Sequence, residues 1–269
     1  MQRTVLVMCC MISCFLIALG LFYHPRLQSD LPLKSNETIK LTKIEYDCFL
    51  INLPHRDDRY ELFQTLYDRS DLRMSSMYKI RAVDGSNLEY RHKFLSREAI
   101  AEIEDQQLTG LRANHYELTK GAIGCYLSHV FTWENIVKYS HKEYALVCED
   151  DCRLPPNIGQ TIQECVSHMP DNWDILLCGG LRLDDQADIL TEDKFVKTNV
   201  FVLLHCYVIS KDAIYKILKT KRLFPMYQQI DFFLSELASE NILNVYNLPE
   251  SKLVPQGNFT TNIQIPLNE

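Results

Sequence analysis

The stretch Tyr144–Cys152, YALVCEDDC, restricts the fold more than any other. Tyr144 to Cys148 is a short apolar run rich in β-favouring residues, which predicts a buried strand. Three carboxylates follow at once, Glu149, Asp150 and Asp151. A buried strand ending in acids puts them at the carboxyl edge of a sheet, where open α/β folds bind ligands. Side chains alternate along a strand, so Glu149 and Asp151 are expected on one face with Asp150 turned away. Two carboxylates on one face offer hard oxygen ligands to a divalent cation such as Mn2+ or Mg2+. Adjacent negative charges raise one another's pKa, and a cation would relieve that repulsion. The alternative is a solvated acidic turn closed by Pro155 and Pro156.

The flanking sequence supplies the rest of an α/β domain. Asp47–Leu53 reads as a strand, 56–70 as a helix and Met77–Val83 as a second strand, and such βαβ units build parallel sheets. Arg56 and Arg59 follow the first strand, where their guanidinium forks suit a phosphate or pair with Asp57 and Asp58. Asp84, at the second strand's end, suits a ribose hydroxyl or an Asp-Gly turn. A helix is expected over Ser96–Gln107, inside a charged insertion spanning 89–113. Along the helix expected within Thr119–Tyr139, Gly121, Gly124, Cys125, Ser128 and His129 form one stripe of mostly small residues. Such a stripe admits a ligand or another backbone. His129 would donate to a phosphate, pair with an acid or be satisfied in the core, and Trp133 is expected in the core. A helix at 157–168 and a strand at Trp173–Gly180 follow, the strand closing on two glycines that permit close backbone approach. Val200–Ile209 reads as one long central strand, with His205 either satisfied in the core or a ligand, and Ser210 caps the next helix. Asp231 opens an amphipathic helix, either as a helix-start acid or as a group facing an acceptor. Short final strands are expected at Asn244–Leu248 and Lys252–Gln256.

Composition excludes some partners. The net charge of −7 over 269 residues lacks the basic footprint of nucleic-acid binding. Val5–Phe22 carries no charged residue, and about 18 residues at ~1.5 Å each span about 27 Å, enough to cross a bilayer. The segment is an uncleaved signal-anchor, giving a single-pass type II membrane protein, or a signal peptide cleaved near Ala18-Leu19-Gly20, giving a secreted one. Either sends the bulk of the chain into the secretory lumen. The expected layout is a tip and transmembrane helix at 1–27, a polar stem at 28–45 and one domain at 46–269. Sequons at Asn36 and Asn258 agree with a luminal location. Ten cysteines occur: three lie in the apolar segment, and the seven others leave an odd number in an oxidising compartment. Cys48, Cys148, Cys178 and Cys206 fall in strand-like runs and are expected in the core.

Taken in order, INLPHRDDR at 51–59, AVDG at 82–85, GAIGCYLSH at 121–129 with Trp133, YALVCEDD at 144–151, WDILLCGG at 173–180, CYVISKDAI at 206–214 and IDFFL at 230–234 resemble glycosyltransferase family 25. That family includes bacterial lipooligosaccharide galactosyltransferases and animal collagen galactosyltransferases. The resemblance implies a GT-A-like, Rossmann-type mixed sheet flanked by helices. It implies a metal-dependent inverting transfer of a hexose, usually galactose, from a UDP-sugar to a glycoprotein or glycan hydroxyl in the ER or Golgi. Residue by residue, it implies Glu149 and Asp151 as ligands of Mn2+ or another divalent cation. Arg59, Asp84, Gly124, Ser128, His129 and Asp150 would fall on the donor side, with Asp231 as the catalytic base. Cys148 departs from the family's larger aliphatic residue, and Thr261-Asn262-Ile263 carries Asn where an Asp is usual. The collagen enzymes have two related domains and an ER-retention tail. This sequence carries one such domain and ends Pro-Leu-Asn-Glu, so collagen is one acceptor among several to be expected. Rival readings are a luminal binding protein that keeps the fold without catalysis, and a nucleotidyltransferase or hydrolase on a similar sheet.

Overall fold

A computed structural model of the protein describes residues 43–87, 94–114, 117–183 and 195–257. These fall within one compact unit, Ile39–Glu269. The expected membrane segment Val5–Phe22, most of the stem, both sequons and Thr261-Asn262-Ile263 lie outside the described residues. Among the described residues no helix is long and apolar enough to cross a membrane.

Strand β1 (Tyr46–Asn52) is buried along its whole length, and α1 (Asp57–Arg69) leads from it to β2 (Met77–Arg81). Helices α2 (Arg97–Thr109) and α3 (Lys120–Tyr139) start on Ser96 and Thr119, whose hydroxyls accept from Ala99 N and Ala122 N. β3 (Tyr144–Glu149), α4 (Ile158–Val166) and β4 (Ile175–Leu177) come next, then the short β5 (Leu181–Arg182), β6 (Val196–Lys197) and β7 (Phe201–Val202). β8 (Cys206–Ser210) runs into α5 (Lys211–Lys219), capped by Ser210 as expected, and α6 (Ile230–Ser239) precedes β9 (Val245–Asn247).

Seven strands form one mixed sheet in the order β2-β1-β3-β8-β4-β9-β6, and β5 and β7 pair separately. β1 pairs parallel with both β2 and β3, while β8 is antiparallel to β3 and to β4. Both faces of the sheet are apolar, which explains the near-continuous hydrophobic runs of the central strands. Phe49, Ile51, Ala145, Val147, Tyr207 and Ile209 pack on one side with α2, α3, α5 and α6. Cys48, Leu50, Leu146, Cys148, Cys206 and Val208 pack on the other with α1 and α4. The fold is therefore a three-layer α/β arrangement around a mixed sheet. The four cysteines expected in the core are all buried, and all seven in the described residues are free thiols.

Two expectations are corrected. The run 200–209 is two strands, because Leu203 adopts a left-handed φ of 71° between β7 and β8. A non-glycine residue there costs about 1–3 kcal/mol and needs its surroundings to hold it. The Leu203 amide donates to Asp231 Oδ2 at 3.1 Å, which supplies part of that hold. The final segment is a 3-10 turn at Glu250–Lys252, followed by a single bridge from Gln256 to Cys152, in place of a last strand. Its amides and carbonyls are stitched to the acidic turn and to the end of β4, through Arg153 N to Pro255 O and Val254 N to Cys178 O.

Candidate active site

A cavity of about 400 Å3 opens where β1 and β3 end, a usual size for a small-molecule site. The three acids after β3 all line it, together with Arg59, Asp84, His205 and Asp231. The strand ends at Glu149, and a turn closes with Cys152 N donating to Glu149 O at 3.2 Å. Alternation therefore stops at Glu149, and Asp150, expected to turn away, also lines the cavity.

Each acid has its own environment. Glu149 Oε1 sits 3.2 Å from His129 Nε2. Burial pushes its carboxyl up, but the His129 hydrogen bond and the positive charge nearby outweigh that and hold it below its ordinary value. Asp150 accepts from Asn52 Nδ2 at 2.7 Å and from Arg59 NH1 at 3.0 Å. That buried pair ties the acidic turn to β1 and α1, and gives Asp150 and Arg59 an organising role. Asp151 is 8% exposed, and its Oδ2 accepts from Gln256 Nε2 at 2.9 Å. Its Oδ1 is buried without a partner among the described residues. Burial and the neighbouring charge of Glu149 push its carboxyl up to about 6.

Asp231, at the first turn of α6, accepts from Leu203 N and, through Oδ1, from Phe232 N at 2.9 Å. Burial raises its pKa against those backbone bonds. Asp84 Oδ1 accepts from the amide and hydroxyl of Ser86, so the Asp-Gly turn reading describes its local contacts even as it lines the cavity.

The small-residue stripe on α3 is divided between two neighbours: Gly121, Cys125, Ser128 and His129 line the cavity, while Gly124 faces the loop after β2. A Cβ on Gly124 would meet Val83 O at 2.6 Å and Gly85 N at 2.7 Å, so this face seats the loop after β2. Ser128 Oγ accepts from Val83 N at 2.9 Å and donates to Gly124 O at 2.6 Å. Ser128 reaches the cavity wall, whereas Gly124 lies behind it. His129 is fully buried with both ring nitrogens engaged, Nε2 by Glu149 and Nδ1 by Tyr207 Oη at 2.9 Å. Trp133 Nε1 donates to the same Tyr207 oxygen at 2.9 Å. Trp133, Tyr207 and His129 thus form a buried polar chain that ends on Glu149.

Asn52 and Gln256 were missed as site residues, and His205 is buried with Nε2 bonded to Val254 O, as its core reading requires, while also lining the cavity. Gln256 reaches Asp151 across 105 residues of chain, and no local pattern marks it. His205 is expected mid-strand from the apolar run, with a core role and a ligand role both open. It precedes β8, and β8 runs antiparallel to β3, so its carbonyl accepts from Glu149 N at 2.8 Å beside the acids.

Residues 46–234, more than two thirds of the chain, match the family described as glycosyltransferase family 25 (LPS biosynthesis protein). The chain belongs to glycosyltransferase family 25. Among its relatives are a glycosyltransferase 25 family member of Drosophila melanogaster, 30% identical over 68% of this chain and 29% of its own length, and the procollagen galactosyltransferase 1 of Danio rerio, 27% identical over 74% and 32%. The human inactive glycosyltransferase 25 family member 3 is 28% identical over 66% of this chain and 29% of its own. The chain therefore spans about three tenths of the length of the curated relatives it matches.

Proposed function

We propose that this family 25 chain is a GT-A-type hexosyltransferase that moves a sugar, galactose by analogy with its relatives' names, from a UDP-sugar to a hydroxyl of a glycoprotein or glycan. The observation that carries this reading is the unpartnered, buried Oδ1 of Asp151, a residue that lines a cavity together with Glu149 and Asp231. A buried carboxylate oxygen without a donor is costly, and its hard-oxygen chemistry fits a divalent cation such as Mn2+. Asp151 and Glu149 would hold that ion, and when bound it would supply Lewis-acid neutralisation of charge on the departing diphosphate.

The chain's own groups would do the rest. Asp231 would take the proton of the acceptor hydroxyl as its oxygen bonds to the anomeric carbon and the bond to UDP breaks on the opposite face, which inverts the configuration. Burial lifts its pKa toward that of a better base, and two backbone amides hold its carboxylate in place. Arg59, fixed by Asp150, would add positive charge on the nucleotide side. The Val5–Phe22 segment would keep the enzyme in the ER or Golgi membrane with this domain in the lumen.

UDP-sugar hydrolysis, measured with and without Mn2+, tests the reading. Turnover that needs the ion and vanishes in Asp151→Ala supports it. The human relative named inactive motivates a second reading, a binding protein without catalysis. Donor binding with no turnover on any acceptor would favour that one, and nucleoside-triphosphate turnover would overturn both.

A further inference from the structure

His205 is 3% exposed and lines the same cavity as Asp151. Its Nε2 lies 2.8 Å from the Val254 carbonyl oxygen, which can only accept, so Nε2 carries the proton. A neutral imidazole protonated there presents a lone pair at Nδ1. That nitrogen is buried and has no partner among the described residues. Two residues that line this cavity, Asp151 and His205, thus each carry a buried lone-pair atom, Oδ1 and Nδ1, without a partner among the described residues. A buried acceptor left unpaired costs about 1–3 kcal/mol, so two together call for an occupant.

The surroundings hold this ring. A Cβ on Gly179 would fall against the imidazole, so the second residue after the end of β4 must be glycine for the ring to sit there. The Val254 carbonyl fixes the tautomer, which is how the outer contacts of metal-bound histidines are arranged. His129, also at the wall, is not equivalent. Its ligand atoms lie within 4.8 Å of those of Cys125 and Glu149, but both its nitrogens are already engaged. The trio Cys148, Cys152 and Cys206 is buried in the apolar core and does not line the cavity.

We propose that His205 is a ligand of the divalent cation through Nδ1, alongside Asp151. This rests on the reading of the cavity as a cation-dependent donor site, and it adds a nitrogen to what would otherwise be an all-oxygen set. An imidazole among carboxylates shifts preference away from Mg2+ and Ca2+ toward first-row transition ions, so the site favours Mn2+ over Mg2+ and Ca2+ but not over later ions such as Zn2+.

The test is pulsed electron paramagnetic resonance on the full chain with Mn2+ and UDP, together with Mn2+ affinity by titration. The native protein should show a directly coordinated 14N signal that changes to 15N when histidine alone is labelled. His205→Gln keeps an amide donor for the Val254 carbonyl but removes the Nδ1 lone pair. It should lose the signal and weaken Mn2+ binding by at least the ~10–100-fold that loss of an outer contact costs. Gly179→Ala, which displaces the ring without changing it, should do the same if the first variant fails to fold. Mn2+ bound with no nitrogen signal, or a signal that survives in a folded His205→Gln protein, overturns the proposal and leaves the cation-dependent reading standing. No Mn2+ binding in the presence of UDP overturns that reading and the proposal together.

Discussion

Asp151→Asn should make the ion-free protein more stable while abolishing its function. The Asp151 carboxyl titrates near 3.8 in an open chain and is pushed up to about 6 in the fold. A gap of about two units at ~1.4 kcal/mol each is up to about 3 kcal/mol. The sign follows from proton binding. Between about pH 4 and 6 the folded state holds the proton that the unfolded state has released, so stability falls as pH rises through that window. Above it the charge is ionised in both states and the full penalty stands. Asparagine has nearly the same shape, can still accept from Gln256 Nε2 and carries no charge to bury. With the new amide group taking the place of the stranded Oδ1, the net gain near pH 7.5 should be about 1–3 kcal/mol. For a domain of this size each kcal/mol raises Tm by about 2–4 °C. Calorimetry in chelator at pH 7.5 and 4.5 reads this directly. The variant should melt higher at pH 7.5, and the gap should narrow at pH 4.5, where the native carboxyl is mostly protonated. Equal or lower Tm at pH 7.5, or a gap indifferent to pH, would show that Asp151 buries no uncompensated charge and would remove the physical reason for a cation there.

By the same linkage, Mn2+ with UDP should raise the Tm of the native protein more above pH 6 than below it, measured by thermal scans across pH 4.5–8. Asp231→Asn keeps only one of the two backbone-amide bonds and sets its NH2 against the other donor, so it should lower Tm, while UDP and Mn2+ affinity in the folded variant should stay close to native. Loss of the base should lower kcat by about 100-fold or more, read as a kcat loss without a matching rise in donor KM. Gly124→Ala should destabilise by about 1–3 kcal/mol in denaturant melts, because the added methyl meets the backbone of the loop after β2 at 2.6 Å and neither chain can yield cheaply.

Much of the frame could be read from local pattern. The apolar run before Glu149, the serine and threonine caps of α2, α3 and α5, and the βαβ opening are all signals a few residues long. The acids at the end of β3 were legible for the same reason. What was hidden depends on where a strand stops or which distant segment folds back. Alternation misplaced Asp150 because the strand ends one residue earlier. The unbroken apolar run 200–209 concealed the turn at Leu203, and with it the position of His205 at the entrance of an antiparallel strand. The small-residue stripe on α3 was visible, but sequence could not say that Gly124 would meet the chain's own 83–85 loop while Gly121, Cys125 and Ser128 line the cavity. Gln256 became a neighbour of Asp151 only through the final segment's pairing with the acidic turn.

The most direct measurement is crystallographic: the protein grown with Mn2+ and UDP, with anomalous data collected at the manganese edge. A single strong peak should lie in the cavity, about 2–2.5 Å from Asp151 and from diphosphate oxygens of the nucleotide. UDP bound at another place on the protein, or bound in this cavity with no metal peak beside Asp151, would contradict the proposed site.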